Sequence, residues 1–176
     1  MMRDSTTDGP TAARRVELYL REDTYGTYDR QQAILERVRG LEERGVVDET
    51  AVDASWQRIR TPEQDPRDDA IATYEEFEAW ISENGYSLEP AFERRQRSYL
   101  GTEAVSEVVV FPVVSLAVYE GDVLRSVFPC SDEAGTVHFT VGDCLEAFEA
   151  GEETWFERFT SVTVDRTEPR LDPAAP

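Results

Sequence analysis

Apolar and polar residues alternate between positions 16 and 20, where Val, Leu and Leu are separated by Glu and Tyr. This alternation predicts a short strand. Beyond a polar loop, apolar residues between positions 34 and 41 recur at spacings of four and three. That spacing predicts a helix with Asp29 as its N-cap and an end near Gly45. The chain therefore opens with a strand followed by a helix.

A second strand and a second helix follow from the next pattern. Residues 50–60 carry apolar side chains at alternate positions and predict a strand, which a proline-containing loop at 62–69 ends. Thr73 and Glu76 have the spacing of a capping box. We therefore expect a helix to begin there and to end at Gly85, a residue type favoured after helix ends.

Two hairpins and a last helix complete the pattern. The segments 92–99 and 105–110 are both extended in character and flank a turn, which predicts a hairpin. Pro112 opens a buried apolar strand, the turn at Gly121 reverses the chain, and an antiparallel strand returns. Thr140 begins the final helix, because an Asp three residues later gives capping spacing.

These elements predict an α/β fold with a central mixed sheet flanked by helices. The 176-residue length and 40% apolar content suit one domain. We place that domain at 14–165, with an inserted β-hairpin at about 88–110 and an edge strand or packed arm at 155–164. Residues 1–13 and 166–176 lack apolar periodicity and are predicted to be a disordered leader and tail.

The order of elements resembles the thioredoxin-like fold. The resemblance is carried by the segment FPVVSLAVYEGDVL at 111–124 and by the strand at 16–20 leading into the first helix. It implies a thioredoxin-like sheet and a cis peptide bond before Pro112, whose other interpretation is a simple strand opener. Redox members carry Cys-x-x-Cys before the first helix, whereas residues 24–29 here are TYGTYD. Dithiol exchange at that place is therefore excluded, because the attacking thiolate is missing.

The chain also resembles a group of small, uncharacterised halophilic archaeal proteins. They share the layout of proline, strand, turn and strand, which ends here in the FPCSD segment at 128–132. Some of them carry a helix-turn-helix label. That resemblance implies a DNA-binding hypothesis without giving a mechanism.

The charge pattern predicts a high-salt habitat. The sequence has 37 acidic residues against 18 basic ones, all of them arginine, and a formal net charge of −19. At molar salt the Debye length is about 3 Å, so the self-repulsion of such a surface is screened. The sequence has no apolar stretch long enough to span a bilayer and no signal-peptide core. We expect a cytoplasmic protein without membrane contacts.

Our leading functional hypothesis is a non-catalytic protein-interaction module, adaptor or regulatory. The loop from Tyr25 to Tyr28, beside Pro112, would form the binding surface, because tyrosine is favoured at interfaces. The alternative is that both tyrosines only cover the edge of the core.

Two other hypotheses remain open. Arg94, Arg95 and Arg97 could contact DNA phosphates from a β-ribbon, as in a transcriptional regulator, although neighbouring glutamates could instead pair with them. Cys130 could act with the single histidine, His138, as a thiol enzyme. Packing roles for both residues favour the answer that the protein is not an enzyme.

Cofactor and metal sites are not expected. The sequence has no phosphate-binding glycine loop and no dinucleotide fingerprint. Its two cysteines, Cys130 and Cys144, lack a second pair at metal-binding spacing. We expect both to be buried as small apolar residues.

Overall fold

The computed structural model describes residues 13–22, 26–57, 59–60, 69–98, 100–101 and 105–152. The predicted tail and the segment at 155–164 lie outside these residues. So do the predicted leader and the loop at 62–69, each except for its last residue. The one-domain boundary at 14–165 therefore stays a prediction, although one hydrophobic cluster extends from Val16 to Phe148.

The described part of the chain forms three helices and ten strands. Their bounds, in chain order, are β1 (Arg14–Arg21), α1 (Tyr28–Glu43), β2 (Glu49–Trp56), β3 (Ile59–Arg60), α2 (Asp69–Asn84), β4 (Tyr86–Ser87), β5 (Glu93–Ser98), β6 (Val105–Val110), β7 (Val114–Glu120), β8 (Val123–Phe128), β9 (Cys130–Asp132), β10 (His138–Phe139) and α3 (Val141–Ala150).

The main sheet is mixed and has the strand order β2-β1-β7-β8. Strand β1 runs parallel to β2 and antiparallel to β7, which in turn is antiparallel to β8. Two small sheets, β10-β9-β4 and β3-β6-β5, are antiparallel throughout. This arrangement confirms the α/β class with a mixed central sheet, while assignment to the thioredoxin-like fold stays a prediction.

The main sheet is covered by helices on both faces. Val16 of β1 lies opposite Val118 of β7, on the face covered by α1 and α3. Tyr19 lies on the other face. Its ring stacks on that of Trp56, with the ring centres 4.4 Å apart, and is in edge-to-face contact with Phe77 of α2, with the ring centres 5.9 Å apart. Because successive strand side chains point to opposite faces, the pattern of β1 produces the three layers.

The predicted strand at 50–60 is in fact two strands. Strand β2 ends at Trp56 and pairs with β1, whereas β3 pairs with β6 in another sheet. Along β2, Val52 is exposed and Trp56 is buried. The prediction was wrong here because β2 is an edge strand that buries mainly its last residue. The alternation of apolar and polar residues therefore did not show where β2 ends and β3 begins.

Two predicted helix starts were also wrong. Helix α2 begins at Asp69, and Thr73 lies inside it, where its hydroxyl donates to the Asp69 carbonyl at 2.9 Å. The N-cap of α1 is Thr27, and Asp29 lies in the first turn. The predicted end near Gly45 is confirmed, since α1 ends at Glu43 and Gly45 has φ +71°.

The implied cis bond before Pro112 is not found. Cis peptide bonds precede Pro90 and Pro129 instead. Pro112 also precedes β7 by two residues, because the strand begins at Val114. The hairpins formed by β5 with β6 and by β7 with β8 are confirmed.

Candidate functional site

A groove of about 440 Å³ lies between α1, α3 and the end of the main sheet. It sits beyond the carboxyl ends of β1 and β8, the position where ligands commonly bind in open α/β sheets. Most of its lining is apolar, with a few polar groups. The lining residues are Thr27, Arg30, Ala33, Ile34, Arg37, Pro112, Val113, Val114, Pro129, Thr140, Val141 and Gly142.

A buried glutamine fixes α1 against the sheet beside this groove. Gln31 is 5% exposed, and its Nε2 donates to the carbonyl oxygens of Arg21 and Val113, both at 3.0 Å. These carbonyls lie at the end of β1 and just before β7. Gln31 was not predicted from the sequence, although its spacing from Leu35 and Val38 places it on the buried face of the helix.

The two helices that line the groove have different N-termini. Thr140 and Asp143 form the predicted capping box of α3, with Asp143 N donating to Thr140 Oγ1 at 3.1 Å and Thr140 N donating to Asp143 Oδ2 at 2.8 Å. Thr27, the N-cap of α1, makes no side-chain cap. Its buried Oγ1 finds no hydrogen-bond partner among the described residues.

The groove carries positive charge in an acidic protein. Arg37 is paired with Glu149 of α3, Nε to Oε1 at 2.8 Å, and this hydrogen bond raises the pKa of Arg37 and lowers that of Glu149. Arg30 is exposed and makes no ion pair within the described ranges. No acidic residue of the described chain lines the groove. Arg30 was not predicted from the sequence either, because no pattern distinguishes it from the other arginines of the chain.

The predicted tyrosine surface is only partly described. Pro112 and Thr27 line the same groove, so the start of α1 does lie beside Pro112. Tyr28 is 63% exposed and is not among the lining residues. Tyr25 lies outside the described residues.

The predicted arginine cluster lies on β5, which is an edge strand. Arg94 is held by three groups: its Nε donates to the Tyr74 hydroxyl at 3.1 Å, its Nη2 lies 2.7 Å from Glu78 Oε1, and its Nη1 lies 2.9 Å from Glu107 Oε1. Tyr74 and Glu78 belong to α2 and Glu107 to β6. Arg94 thus joins the hairpin to the helix.

The other two arginines differ from Arg94. The Arg95 side chain is 60% exposed, and its Nη2 lies 2.7 Å from Glu93 Oε2 on the same strand. This contact lowers the pKa of Glu93. The backbone of Arg97 pairs with Ser106. Arg95 is therefore paired with a neighbouring glutamate, whereas the side chain of Arg97 lies outside the described part of the structure.

Cys130 does not have the surroundings of a catalytic thiol. It is buried, and burial raises the pKa of its thiol to about 12. In the ladder between β9 and β10, Cys130 lies opposite Phe139, while His138 lies opposite Ser131. Neighbouring residues of a strand point to opposite faces, so His138 and Cys130 are separated by the sheet. Cys144 is also buried and free, as expected.

The described residues contain no group of three or more His, Cys, Asp or Glu side chains that could hold a metal ion. None of their helices combines the length and the apolar character needed to cross a membrane.

Comparison with known proteins adds one finding. A family model described as a helix-turn-helix domain matches residues 8–153. No curated protein and no solved structure matches the chain. In the described part of the chain, α1 and α2 are separated by β2 and β3, and α2 and α3 by β4 through β10. The predicted order of elements, with strands between successive helices, is therefore confirmed.

Proposed function

Because the chain belongs to the helix-turn-helix domain family, we propose that it binds DNA and regulates transcription. The family match is the observation that carries this function, and it moves the DNA-binding hypothesis ahead of the adaptor hypothesis. The cellular setting in this proposal is the high-salt cytoplasm that the composition predicts.

The contact surface that we propose is the outer edge of β5. An edge strand leaves one side of its backbone unpaired, and β-ribbons are one of the elements that proteins use to read DNA. Arg95 is well exposed, and within the described residues its carboxylate contact is a surface pair with Glu93. Exposed ion pairs are weak, so a phosphate can take the place of Glu93. Arg97 lies two residues further along the same strand.

Arg94 is excluded from this role. Three groups on two other elements already hold its guanidinium, and moving it to a phosphate would break all three contacts. It positions the hairpin on α2. The three arginines of the sequence-based hypothesis therefore separate into one positioning residue and two proposed phosphate contacts.

The net charge of −19 is compatible with DNA binding only when it is screened. In dilute buffer the acidic surface repels phosphates over distances beyond about 10 Å, whereas at molar salt the screening length is about 3 Å. Direct arginine contacts survive that screening better than long-range repulsion does. The affinity for DNA should therefore be highest at an intermediate salt concentration. The DNA affinity of a basic protein, by contrast, falls steadily as salt rises.

The test compares paired variants in a DNA-binding titration. Arg95→Gln and Arg97→Gln should each weaken binding. Each should also lower the number of counterions released on binding by about one, which is read from the slope of the logarithm of the binding constant against the logarithm of the salt concentration. Arg39→Gln is the matched control, because Arg39 is exposed on α1 and far along the chain from the hairpin. Equal binding by all three variants would place the DNA contact elsewhere.

The adaptor hypothesis remains the second candidate. It is supported by Tyr28, which is 63% exposed at the start of α1, next to the groove that contains Pro112. Tyrosine supplies contact area with a polar end, which suits a protein interface. Capture of protein partners by the full chain, compared with Tyr25→Ala and Tyr28→Ala variants, tests it. Unchanged capture by both variants would rule out this surface.

A further inference from the structure

The groove between α1 and α3 is not used by the proposed DNA contact, and its chemistry is that of a small-molecule site. Its volume of about 440 Å³ falls within the range of about 300–1,000 Å³ that is typical of ligand pockets. Ile34 of α1, Val114 of β7 and Val141 of α3 line it from three sides. An apolar pocket with few polar groups is the common form of such sites.

The polar groups of this groove favour an anion. Arg30 is the lining cation that has no carboxylate partner among the described residues, since Arg37 is paired with Glu149. No acidic side chain of the described residues lines the groove, in a chain with twice as many acids as bases. The buried Thr27 Oγ1, without a partner in the same residues, supplies one further polar atom beside Arg30. The first turn of α1 adds a favourable field for negative charge.

We propose that this groove binds a small apolar carboxylate, an organic acid with an aliphatic or aromatic body. The carboxylate lies against Arg30 at the start of α1. The apolar body packs on Ile34, Val114 and Val141. A site built in this way rejects the neutral analogue, because Arg30 then loses its counterion while only the apolar contacts remain.

The test uses 3-phenylpropionate as the probe and 3-phenylpropanamide as its neutral isostere. Both are titrated into the full-length protein at molar KCl, and backbone amide NMR shifts are followed. Saturable shifts at Thr27, Arg30 and Gly142 with the propionate are expected. The amide should bind about tenfold more weakly, the cost of about one charge-assisted hydrogen bond.

Two variants and one control locate the site. Arg30→Gln should weaken the propionate about tenfold and leave the amide unchanged. Gly142→Leu should abolish binding of both probes by filling the groove. A Cβ on Gly142 meets Thr140 Oγ1 at 3.5 Å, an ordinary contact, so the helix can accept the change. Arg39→Gln, on the same helix but outside the groove, should change nothing.

Four results would overturn the proposal. The first is the absence of saturable shifts up to the solubility of the probe. The second is equal binding of propionate and amide, and the third is unchanged propionate binding by the Arg30→Gln variant. The fourth is binding only of an apolar peptide with a free carboxyl terminus, which would assign the groove to a protein partner. None of these results depends on DNA binding.

Discussion

The guanidinium of Arg94 donates from Nε to the hydroxyl oxygen of Tyr74 over 3.1 Å, which ties β5 to α2. The same guanidinium lies 5.5 Å from the centre of the Tyr74 ring and contacts Glu78 and Glu107. Burial and the hydrogen bond with Glu78 raise the pKa of the Tyr74 hydroxyl, so this hydroxyl stays protonated at neutral pH. The Arg94 guanidinium therefore holds the hairpin of β5 and β6 on α2, because several acceptor atoms surround it.

Replacing that cation should loosen the hairpin. We expect Arg94→Gln to lower the free energy of unfolding by about 1–2 kcal/mol, the lower part of the range for charged hydrogen bonds because the side chain is 45% exposed. Denaturant unfolding in KCl measures it. Arg95→Gln is the control and should leave stability unchanged. Equal effects of the two substitutions would contradict the positioning role of Arg94.

The second prediction concerns the two hydrogen bonds that the Gln31 side chain donates. Gln31→Leu should lower the free energy of unfolding by about 1–3 kcal/mol, because the part-buried carbonyl of Arg21 loses a donor. Gln32→Leu is the matched control one residue further along α1. Unfolding curves of the two variants decide the matter. A neutral Gln31→Leu would mean that water replaces the amide at the end of the sheet.

The N-terminal residues of the two helices beside the groove should differ in how much they contribute to stability. Thr140→Ala should cost about 1 kcal/mol, since the hydroxyl caps α3. Thr27→Ala should cost less, because Thr27 makes no side-chain cap and its hydroxyl is buried without a partner among the described residues. Thermal unfolding of both variants gives the comparison. A larger loss for Thr27→Ala would show that its hydroxyl does bond in solution.

The raised thiol pKa of Cys130 leads us to expect that the folded protein loses stability at alkaline pH. Its thiol pKa is raised to about 12 in the folded protein by burial, from about 8.5 in an unfolded chain. The neutral thiol is favoured by folding, so its contribution is complete below about pH 8.5 and is lost as the pH rises above that value. Cys130→Ala should therefore reduce the fall in stability between neutral and alkaline pH. Unfolding curves across this range measure the change.

The same burial predicts slow chemistry at the thiol. Iodoacetamide should label Cys130 and Cys144 at neutral pH only after unfolding, since the thiolate is the reacting form and both thiols are buried. Mass spectrometry with and without denaturant checks this. Rapid labelling of Cys130 in the folded protein would restore the thiol-enzyme hypothesis.

Local signals in the sequence were reliable where one residue pair decides the structure. The capping box of Thr140 and Asp143 was predicted because both partners lie within one helical turn. The hairpin of β5 and β6 was predicted because its two strands follow each other closely. Such features need no knowledge of distant partners.

Features that depend on distant partners were missed. The break between β2 and β3 follows from pairing with β1 and β6, which are far apart in the chain. The groove was partly anticipated through Pro112, but Arg30 and Gln31 acquire their roles only when α1 lies on the ends of β1 and β7. The different roles of Arg94 and Arg95 likewise depend on α2, because Arg94 contacts this helix. The hairpin pattern does not reveal that contact.

Selection from a pool of random DNA duplexes measures directly whether this protein binds DNA. The protein is incubated with the pool at a series of KCl concentrations up to about 1 M, where the screening length is about 3 Å, and bound DNA is sequenced over successive rounds. We expect enrichment of a sequence family, weakened in the Arg95→Gln and Arg97→Gln variants. Recovery of no enriched DNA at any salt concentration, with the protein folded, would rule out the proposed DNA binding.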